Sequence, residues 1–322
     1  MSAPVCVLGM HRSGTSMFAG LLHECGFALG KPEDIMPASP DNPVGYWENR
    51  RFVEINDSIL LALGGTWSEP PHPQQNWTEE ADLTAIRSEA KALANSFRLD
   101  KQWAWKDPRT CLTLPFWQEI LPGSKYIVCI RHPLEVGQSF AARKFSQMQR
   151  EKALKLWEEY YAAMMPNLAE GSFLVTHYVS YFYDAERELK RVFDFLGGEP
   201  PLDLTEAAKT VRTDLWHGFG LDYKNEYFHV PASVQSLYDN LCDQAGEVFE
   251  DQLNDLEFQE TLRARALEKA IGRIATLEQL YTERSKENEE LNRYVQDLRG
   301  NSGKIRRITA GLKRRLRLRR AS

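Results

Sequence analysis

The sequence predicts an α/β fold, in which a parallel sheet is flanked by helices, followed by a C-terminal coiled coil. Short apolar runs alternate with longer amphipathic stretches over residues 1–250, which is typical of a parallel sheet covered by helices on both faces. From residue 267 onward the apolar residues recur in heptads instead. We therefore divide the chain into an α/β domain over 1–250, a helical coiled-coil extension over 251–300 and a basic amphipathic tail over 301–322.

Four apolar runs are the candidate strands: Val5–Leu8, Trp103–Trp105, Tyr126–Ile130 and Phe173–Val175. Four stretches between them place apolar residues at helical spacing: Phe52–Leu63, Leu83–Phe97, Val136–Phe145 and Ala185–Leu196. The last of these helices is expected to end at Gly197, because a Gly pair and then a Pro pair follow it.

Composition narrows the class of protein. With 43% apolar and 26% charged residues, the 322-residue chain is globular, and disordered or collagen-like classes are excluded. No apolar run approaches the roughly 18 residues that a membrane-spanning helix needs. The five cysteines are scattered, as in a reduced cytoplasmic protein, and the first apolar run begins too close to Met1 for a signal peptide. We expect a cytoplasmic protein.

The first strand is followed by a loop that is suited to an anion. Gly9-x4-Gly14 has the spacing of a Walker A loop, and Ser13, Thr15 and Ser16 lead into a helix, so backbone N–H groups and a helix dipole point to one place. The lysine position of that motif holds Thr15, and a cation stands at Arg12 instead. A P-loop-like fold with a metal-free phosphate or sulfuryl site is therefore favoured over a magnesium nucleotide site, and no metal is expected.

A second element also brings a cation to a strand end. Arg131 follows the strand that ends at Ile130, Pro133 starts a helix, and Ser139 lies two turns along it. Ligands of open α/β sheets bind at the carboxyl ends of the strands. Arg131 and Ser139 are therefore candidates for a second phosphate.

Together these stretches resemble the 3′-phosphoadenosine 5′-phosphosulfate (PAPS)-dependent sulfotransferases of bacterial and Golgi type. The loop from Arg12 to Thr15 is similar to their 5′-phosphosulfate loop, and Arg131 with Ser139 is similar to their 3′-phosphate site. Trp105-Lys106-Asp107-Pro108-Arg109 resembles their Lys-Asp-Pro element, and the stretch from Phe173 to Tyr178 resembles their late strand.

The resemblance implies a role for each of these groups. PAPS would be the sulfuryl donor, with its 5′-phosphosulfate held by Arg12 and by the loop residues Ser13, Gly14, Thr15 and Ser16. Arg131 and Ser139 would hold the 3′-phosphate. Lys106 would neutralise the bridging oxygen as the bond breaks; the alternative for Lys106 is a structural salt bridge to Asp107 or to a nearby acid.

The acceptor hydroxyl needs a base, and the proline-rich segment 30–50 offers two carboxylates. Glu48 is the first choice, because Tyr46 and Trp47 beside it can form a sugar-stacking wall and raise its pKa; these aromatic rings could equally be packing in a lid. Glu33 is the second choice, since its distance in sequence from the loop arginine resembles that of the base in tyrosylprotein sulfotransferases. His132 and His177, at strand ends, are expected to be structural.

The heptads predict a dimer. Five residues fall at position a (Leu267, Ile274, Tyr281, Asn288 and Val295) and five at position d (Ala270, Leu277, Arg284, Leu291 and Leu298). An Asn at a single a position commonly selects two strands, so we expect a homodimer through 267–298. A single long helix folded back on the body is the alternative. Gly300–Gly303 is expected to be a flexible break.

The segment after that break is strongly basic, with nine Lys and Arg and no acid over residues 300–322. Four apolar residues recur there at helical spacing: Ile305, Ile308, Leu312 and Leu316. This pattern predicts that 304–320 binds an anionic membrane surface peripherally, on the inner membrane face. A solvated tail or a nucleic-acid-binding tail are alternatives, but the acidic body opposes nucleic acid, and no specific nucleic acid is expected.

The function expected from the sequence is sulfuryl transfer from PAPS to a hydroxyl acceptor, a glycan or glycolipid on the cytosolic membrane face. A protein tyrosine is a further acceptor class that stays open. Two different functions also stay open: a P-loop small-molecule kinase that uses Mg-ATP, and a non-catalytic coiled-coil scaffold with a decayed nucleotide fold.

Overall fold

The computed structural model describes residues 3–39, 42, 44–74, 76–79, 83–141, 150–197, 204–213, 216 and 230–318, with the side chains of 266, 269, 270, 273, 294 and 297–318 excepted. The chain forms two compact units, Met1–Arg263 and Ala264–Ser322.

A four-stranded parallel sheet organises the first unit. Its strands are β1 (Val5–Leu8), β2 (Ala104–Lys106), β3 (Lys125–Ile130) and β4 (Phe173–His177), in the order β2-β1-β3-β4. All three pairings are parallel. The residues of β1 are all buried, as expected of a strand that is covered on both faces. The predicted parallel sheet and its four strands are confirmed, with β2 shifted by one residue, β3 longer by one and β4 longer by two.

Helices connect and cover the strands. Between β1 and β2 lie α1 (Thr15–Glu24), α2 (Arg50–Ala62) and α3 (Thr84–Ser96), and between β2 and β3 lies α4 (Thr110–Ile120). Before β4 come α5 (Pro133–Ala141) and α6 (Arg150–Met164), and after it α7 (Ser180–Leu196), α8 (Leu204–Ala208), α9 (Ala232–Cys242) and α10 (Glu247–Asn254). The four predicted helices match α2, α3, α5 and α7; residues 142–145 of the predicted Val136–Phe145 helix lie outside the described residues.

Two packed groups of side chains hold the helices to the sheet. On one side, Phe18 of α1 and Phe193 of α7 belong to a buried cluster with Val7 and Ile127 of the sheet. On the other side, Phe52 of α2 stacks on the Trp105 ring with centroids 5.7 Å apart. These buried rings pack α1, α2 and α7 against the strands.

The second unit consists of most of one long helix, α11 (Leu256–Leu318), of 63 residues. Several large apolar side chains on it are exposed, among them Leu267, Ile274, Leu277 and Leu291. The helix continues through Gly300–Gly303, so the expected flexible break is wrong. A glycine costs a helix only about 1 kcal/mol, and long stretches of good helix formers on either side carry the helix across. No helix in the described part of the chain has an apolar window long enough to cross a bilayer.

Candidate functional site

The ends of the parallel strands meet at one pocket of about 510 Å³. Lys106 is the last residue of β2, Arg131 follows β3 and Tyr178 follows β4, and all three line it. Arg12, Thr15 and Ser16, after β1, line it as well. The volume lies within the ~300–1,000 Å³ common for small-molecule sites.

The loop between β1 and α1 has the shape of an anion cradle. Gly9 has φ 135°, and a Cβ there would lie 2.5 Å from the carbonyl oxygen of Cys129. Gly14 has φ 92°, and its Cβ would lie 2.4 Å from Cδ2 of Tyr178. A larger residue at Gly9 would need a shift of the β3 backbone, and a larger residue at Gly14 would need a shift of the Tyr178 ring. The first turn of α1 therefore opens directly on the pocket, although Ser13 itself is fully buried and does not line it.

The two sequence motifs meet in a direct contact. Nε of Arg12 donates a hydrogen bond of 2.8 Å to Oγ of Ser139, which is on α5. Nη1 of Arg131 donates to the backbone oxygen of Arg12 at 3.3 Å. The Arg131 guanidinium also lies over the Tyr178 ring, 4.4 Å from its centre. The structure thus brings Arg12, Arg131 and Ser139 together, as the sequence predicts.

The position of Arg131 depends on a buried carboxylate. Nε of Arg131 donates to Oε2 of Glu135 at 2.7 Å, and Nε1 of Trp216 donates to the same oxygen at 3.1 Å. Trp216 in turn stacks on Phe182 with centroids 4.4 Å apart. Glu135 therefore holds the guanidinium in a fixed orientation at the end of β3. The sequence reasoning missed this role, though opposite charges at i and i+4 of a helix start were a signal for it.

Lys106 is a buried cation with three hydrogen-bond acceptors. Its Nζ donates to Oγ of Ser16 at 3.0 Å, to the backbone oxygen of Tyr46 at 2.9 Å and to Oε1 of Glu48 at 2.5 Å. The side chain is 2% exposed. One ammonium group therefore links the first turn of α1 to the segment before α2. Lys106 therefore makes a salt bridge to a nearby acid, as its alternative role predicts, and the partner is Glu48 rather than Asp107.

The carboxylate of Asp107 contacts residues other than Lys106. Its carboxylate accepts from Nδ2 of Asn56 at 2.8 Å and from Nη1 of Arg109 at 3.0 Å. Arg109 makes a second ion pair, at 2.6 Å, with Asp57. Asp107 therefore fixes the β2 end to α2 and is turned away from Lys106.

Two carboxylates, Glu24 and Glu48, line the pocket, and only Glu48 of these two is buried. It is 5% exposed and lines the pocket, and its Oε2 has no hydrogen-bond partner among the described residues. Burial raises the pKa of this carboxyl, and Lys106 opposes that effect. Glu48 can therefore accept a proton inside the pocket. Glu33 is exposed in the short 3₁₀ helix Pro32–Asp34 and does not line the pocket.

The two aromatic residues before Glu48 are held by other contacts. The hydroxyl of Tyr46 hydrogen-bonds to Oγ of Ser39 at 2.6 Å. The Trp47 ring lies 4.9 Å from the His23 ring, and a Cβ on Gly20 would be 3.1 Å from its Nε1. Both side chains line the pocket, but Trp47 is packed on α1. The packing alternative therefore describes Trp47 better than a free stacking wall.

The two histidines at strand ends are buried acceptors. Nδ1 of His132 accepts from the backbone N–H of Leu134 at 3.3 Å, and Nδ1 of His177 accepts from that of Val179 at 3.1 Å. Burial lowers the pKa of His132 to about 4 and the pKa of His177 well below its ordinary value. Neutral imidazoles that cap backbone N–H groups are structural, as expected from the sequence.

His11 and Trp67 are among the pocket residues that the sequence reasoning missed. Their ring centres lie 4.9 Å apart. His11 precedes the loop arginine directly, which was a usable signal, whereas the loop after α2 that carries Trp67 gave none. In the part of the chain that the structure describes, no three His, Cys, Asp or Glu side chains are grouped as a metal site.

Three solved structures that are similar to this chain share 13–18% of its sequence. Sulfotransferase STF9 from Mycobacterium avium is 13% identical, with a TM-score of 0.47 over 75% of this chain and 76% of its own. The sulfotransferase domain of the Synechococcus PCC 7002 olefin synthase is 18% identical, with a TM-score of 0.43 over 74% of this chain and 94% of its own. Mouse sulfotransferase SULT7A1, complexed with PAP, is 14% identical, with a TM-score of 0.38 over 83% of this chain and 90% of its own.

The family assignment comes from the sequence itself. No curated protein sequence matches this chain significantly. The model of the sulfotransferase family, by contrast, matches residues 4–201, a range that includes β1 to β4, the loop with Arg12, and Lys106, Arg131 and Ser139. Since the matched range is more than half of the chain, this protein belongs to the sulfotransferase family.

Proposed function

We propose that this protein transfers a sulfuryl group from PAPS to a hydroxyl acceptor. The observation that carries the proposal is the position of Lys106, whose ammonium contacts Ser16 at the anion loop and Glu48 in the same pocket. PAPS, when bound, supplies a sulfuryl group whose S–O bond to the 5′-phosphate breaks as a bond to the acceptor oxygen forms.

The residues present fit this donor. A donor with two phosphate-bearing ends needs two groups of cations and hydroxyls, and the pocket has Arg12 with the first turn of α1 and, beside it, Arg131 with Ser139. We assign Arg12 and the loop residues 13–16 to the 5′-phosphosulfate, and Arg131 and Ser139 to the 3′-phosphate. Backbone N–H groups and guanidinium groups are the usual partners of such anions.

Lys106 and Glu48 have the chemical roles in this proposal. Lys106 neutralises the charge that develops on the leaving phosphate oxygen. Glu48 accepts the proton of the acceptor hydroxyl, because it is the buried carboxylate of the pocket and burial raises its pKa. Sulfuryl transfer then needs positioning and charge stabilisation and no metal.

The acceptor that we propose is a glycan or a glycolipid on the cytosolic membrane face. Aromatic side chains line the pocket, which suits the apolar face of a sugar ring, and the basic segment 304–320 suits an anionic membrane surface. The protein is then cytoplasmic and peripheral on that surface. We further propose a homodimer through 267–298, supported by the exposed apolar side chains of that stretch of α11.

Calorimetric titration tests the donor. The protein in EDTA should bind 3′,5′-bisphosphoadenosine, and Arg131→Ala should weaken the affinity more than about tenfold, because a charge-assisted contact contributes about 1.5–3 kcal/mol. Arg98→Ala, at an exposed position, is the matched control and should change nothing. Tight binding of Mg-ATP together with no binding of the bisphosphate would overturn the proposal in favour of a kinase. No binding of either would favour a scaffold.

A further inference from the structure

The turn after α2 is fixed in one shape. The backbone N–H of Thr66 donates to the oxygen of Glu69 at 2.9 Å, and the N–H of Glu69 donates to Oγ1 of Thr66 at 3.1 Å. Gly65 is in such close contact with Pro71 that a Cβ would lie 2.6 Å from the proline nitrogen. Trp67 therefore stands at the tip of a turn that is closed by hydrogen bonds and backed by Pro71.

The backbone of Trp67 is held by a hydrogen bond, and its ring is in contact with a second ring. The hydroxyl of the buried Tyr160, on α6, donates to the backbone oxygen of Trp67 at 2.8 Å. The Trp67 ring lies 4.9 Å from that of His11, at an interplanar angle of 58°. The side chain is half-buried, and it lines the pocket together with His11. This ring is thus held in place before any ligand arrives, which reduces the entropy lost on binding.

The guanidinium of Arg109 completes this side of the pocket. Arg109 lines the pocket and lies close enough to Tyr160 for a Coulombic effect on its hydroxyl. Its guanidinium is held by Asp107 and by Asp57, and the side chain of Asp57 is 50% exposed. The donor-binding cations of the proposed function, Arg12 and Arg131, are contacted by other groups. The pocket therefore has a second set of groups, which no phosphate assignment uses.

Trp67 and Arg109 together favour a sugar over a phenol as the acceptor. The C–H face of a pyranose packs on an indole, and its hydroxyls can hydrogen-bond to the guanidinium of Arg109, which lines the pocket. A bare aromatic ring would desolvate the Arg109 guanidinium without replacing the hydrogen bonds that the guanidinium makes to water, which is unfavourable. We propose that Trp67, with His11 and Arg109, forms the acceptor side of the pocket and binds a pyranose ring of the glycan acceptor. This inference rests on the proposed function.

The test compares sulfuryl transfer from radiolabelled PAPS to two kinds of probe. The first is a set of methyl glycosides of glucose, galactose and N-acetylglucosamine, and the second is p-nitrophenol. Transfer to at least one glycoside is expected, and Trp67→Ala should raise its KM by about tenfold or more with little change in kcat. Trp67→Phe, which keeps an aromatic face, should recover most of the loss. Leu61→Ala, at an exposed position of α2, is the control for a nearby change.

Binding of the bisphosphate tests the donor assignment separately from the pyranose assignment. It should be the same in Trp67→Ala as in the wild type, because the indole is assigned to the acceptor alone, and thermal melting checks that the variant is folded. Wild-type protein that binds the bisphosphate but sulfates only p-nitrophenol, or none of the probes, overturns the pyranose assignment and leaves the donor assignment intact. An unchanged KM in Trp67→Ala also overturns it. Wild-type protein that does not bind the bisphosphate overturns both.

Discussion

Nζ of Lys106 donates to one oxygen of the Glu48 carboxylate at 2.5 Å, while the other oxygen, Oε2, has no hydrogen-bond partner within the described residues. One oxygen is thus anchored, and the other is buried with its lone pairs not used by any described residue. A base needs an aimed lone pair that is not already used, so Oε2 is the atom that would take the proton of the acceptor hydroxyl.

Glu48→Gln should lower turnover by roughly 10²–10⁴ and leave the affinity for the bisphosphate within about twofold, since the amide keeps the shape and removes the basicity. Single-turnover rates with PAPS measure the first effect, and calorimetry measures the second. Glu33→Gln is the matched control, because Glu33 is exposed outside the pocket lining. An inactive Glu33→Gln beside a fully active Glu48→Gln would show that Glu33 is the base.

The same carboxyl should set the acid limb of the pH profile. Burial raises the pKa of Glu48 above its ordinary 4.5, so the carboxyl stays protonated to a higher pH than an exposed glutamate. Activity that needs the carboxylate should therefore rise with pH through this raised pKa. The residual activity of Glu48→Gln should lack that limb when kcat/KM is measured over the same range. A limb that persists in the variant would assign it to another group.

The Arg131–Glu135 pair predicts an indirect effect on donor binding. Glu135→Ala removes the acceptor that orients the guanidinium, so the affinity for the bisphosphate should fall by about tenfold. Glu135→Gln keeps an oxygen for Arg131 and Trp216 and should lose much less. In an Arg131→Ala background, Glu135→Ala should have little further effect. Additive losses in the double variant would contradict an action through Arg131.

The heptads of α11 predict a dimer in solution. Light scattering should give twice the chain mass of 37.0 kDa. Leu277→Asp with Leu291→Asp, at two d positions, should give a monomer, because charged side chains in the seam are desolvated. Gln279→Asp, at an f position of the same repeat, should remain a dimer. A monomeric wild type at micromolar concentration would refute the pairing.

Flotation with liposomes tests the basic segment. Full-length protein should rise with anionic vesicles and not with neutral ones, since each Lys or Arg near an anionic surface contributes about 1 kcal/mol. A chain that ends at Arg299 lacks all nine cations and should stay at the bottom. If the full-length protein also stays there at moderate salt but shifts DNA in a gel, the membrane assignment is wrong.

Sequence reasoning succeeded where one short stretch carries the whole signal. Val5–Leu8 and Tyr126–Ile130 were recognisable because buried parallel strands are continuous apolar runs, and strand ends then placed Arg12, Lys106 and Arg131 together. It failed for α4, where buried side chains surround most of the helix and leave no amphipathic stripe, and Pro115 lies inside it.

Contacts between distant residues were beyond the reach of the sequence. Trp67 enters the pocket because Tyr160, 93 positions later, holds its backbone oxygen. Glu48 and Glu33 are both acids in one irregular segment, and only the tertiary fold buries Glu48 against Lys106 and leaves Glu33 exposed. Such pairings depend on the whole sheet rather than on local spacing.

Because β1 lies between β2 and β3 in the sheet, it can pair only with strands that are synthesised after it. The ribosome delivers Val5–Leu8 first, yet both neighbours of this strand, Ala104–Lys106 and Lys125–Ile130, leave it much later. The ring against which Gly14 closes, that of Tyr178, comes later still. Pairing of strands that are so far apart in sequence is slow, because closing the long intervening loop lowers the entropy of the chain before any strand contact forms. The loop between β1 and α1 therefore takes its shape only after Tyr178 has emerged.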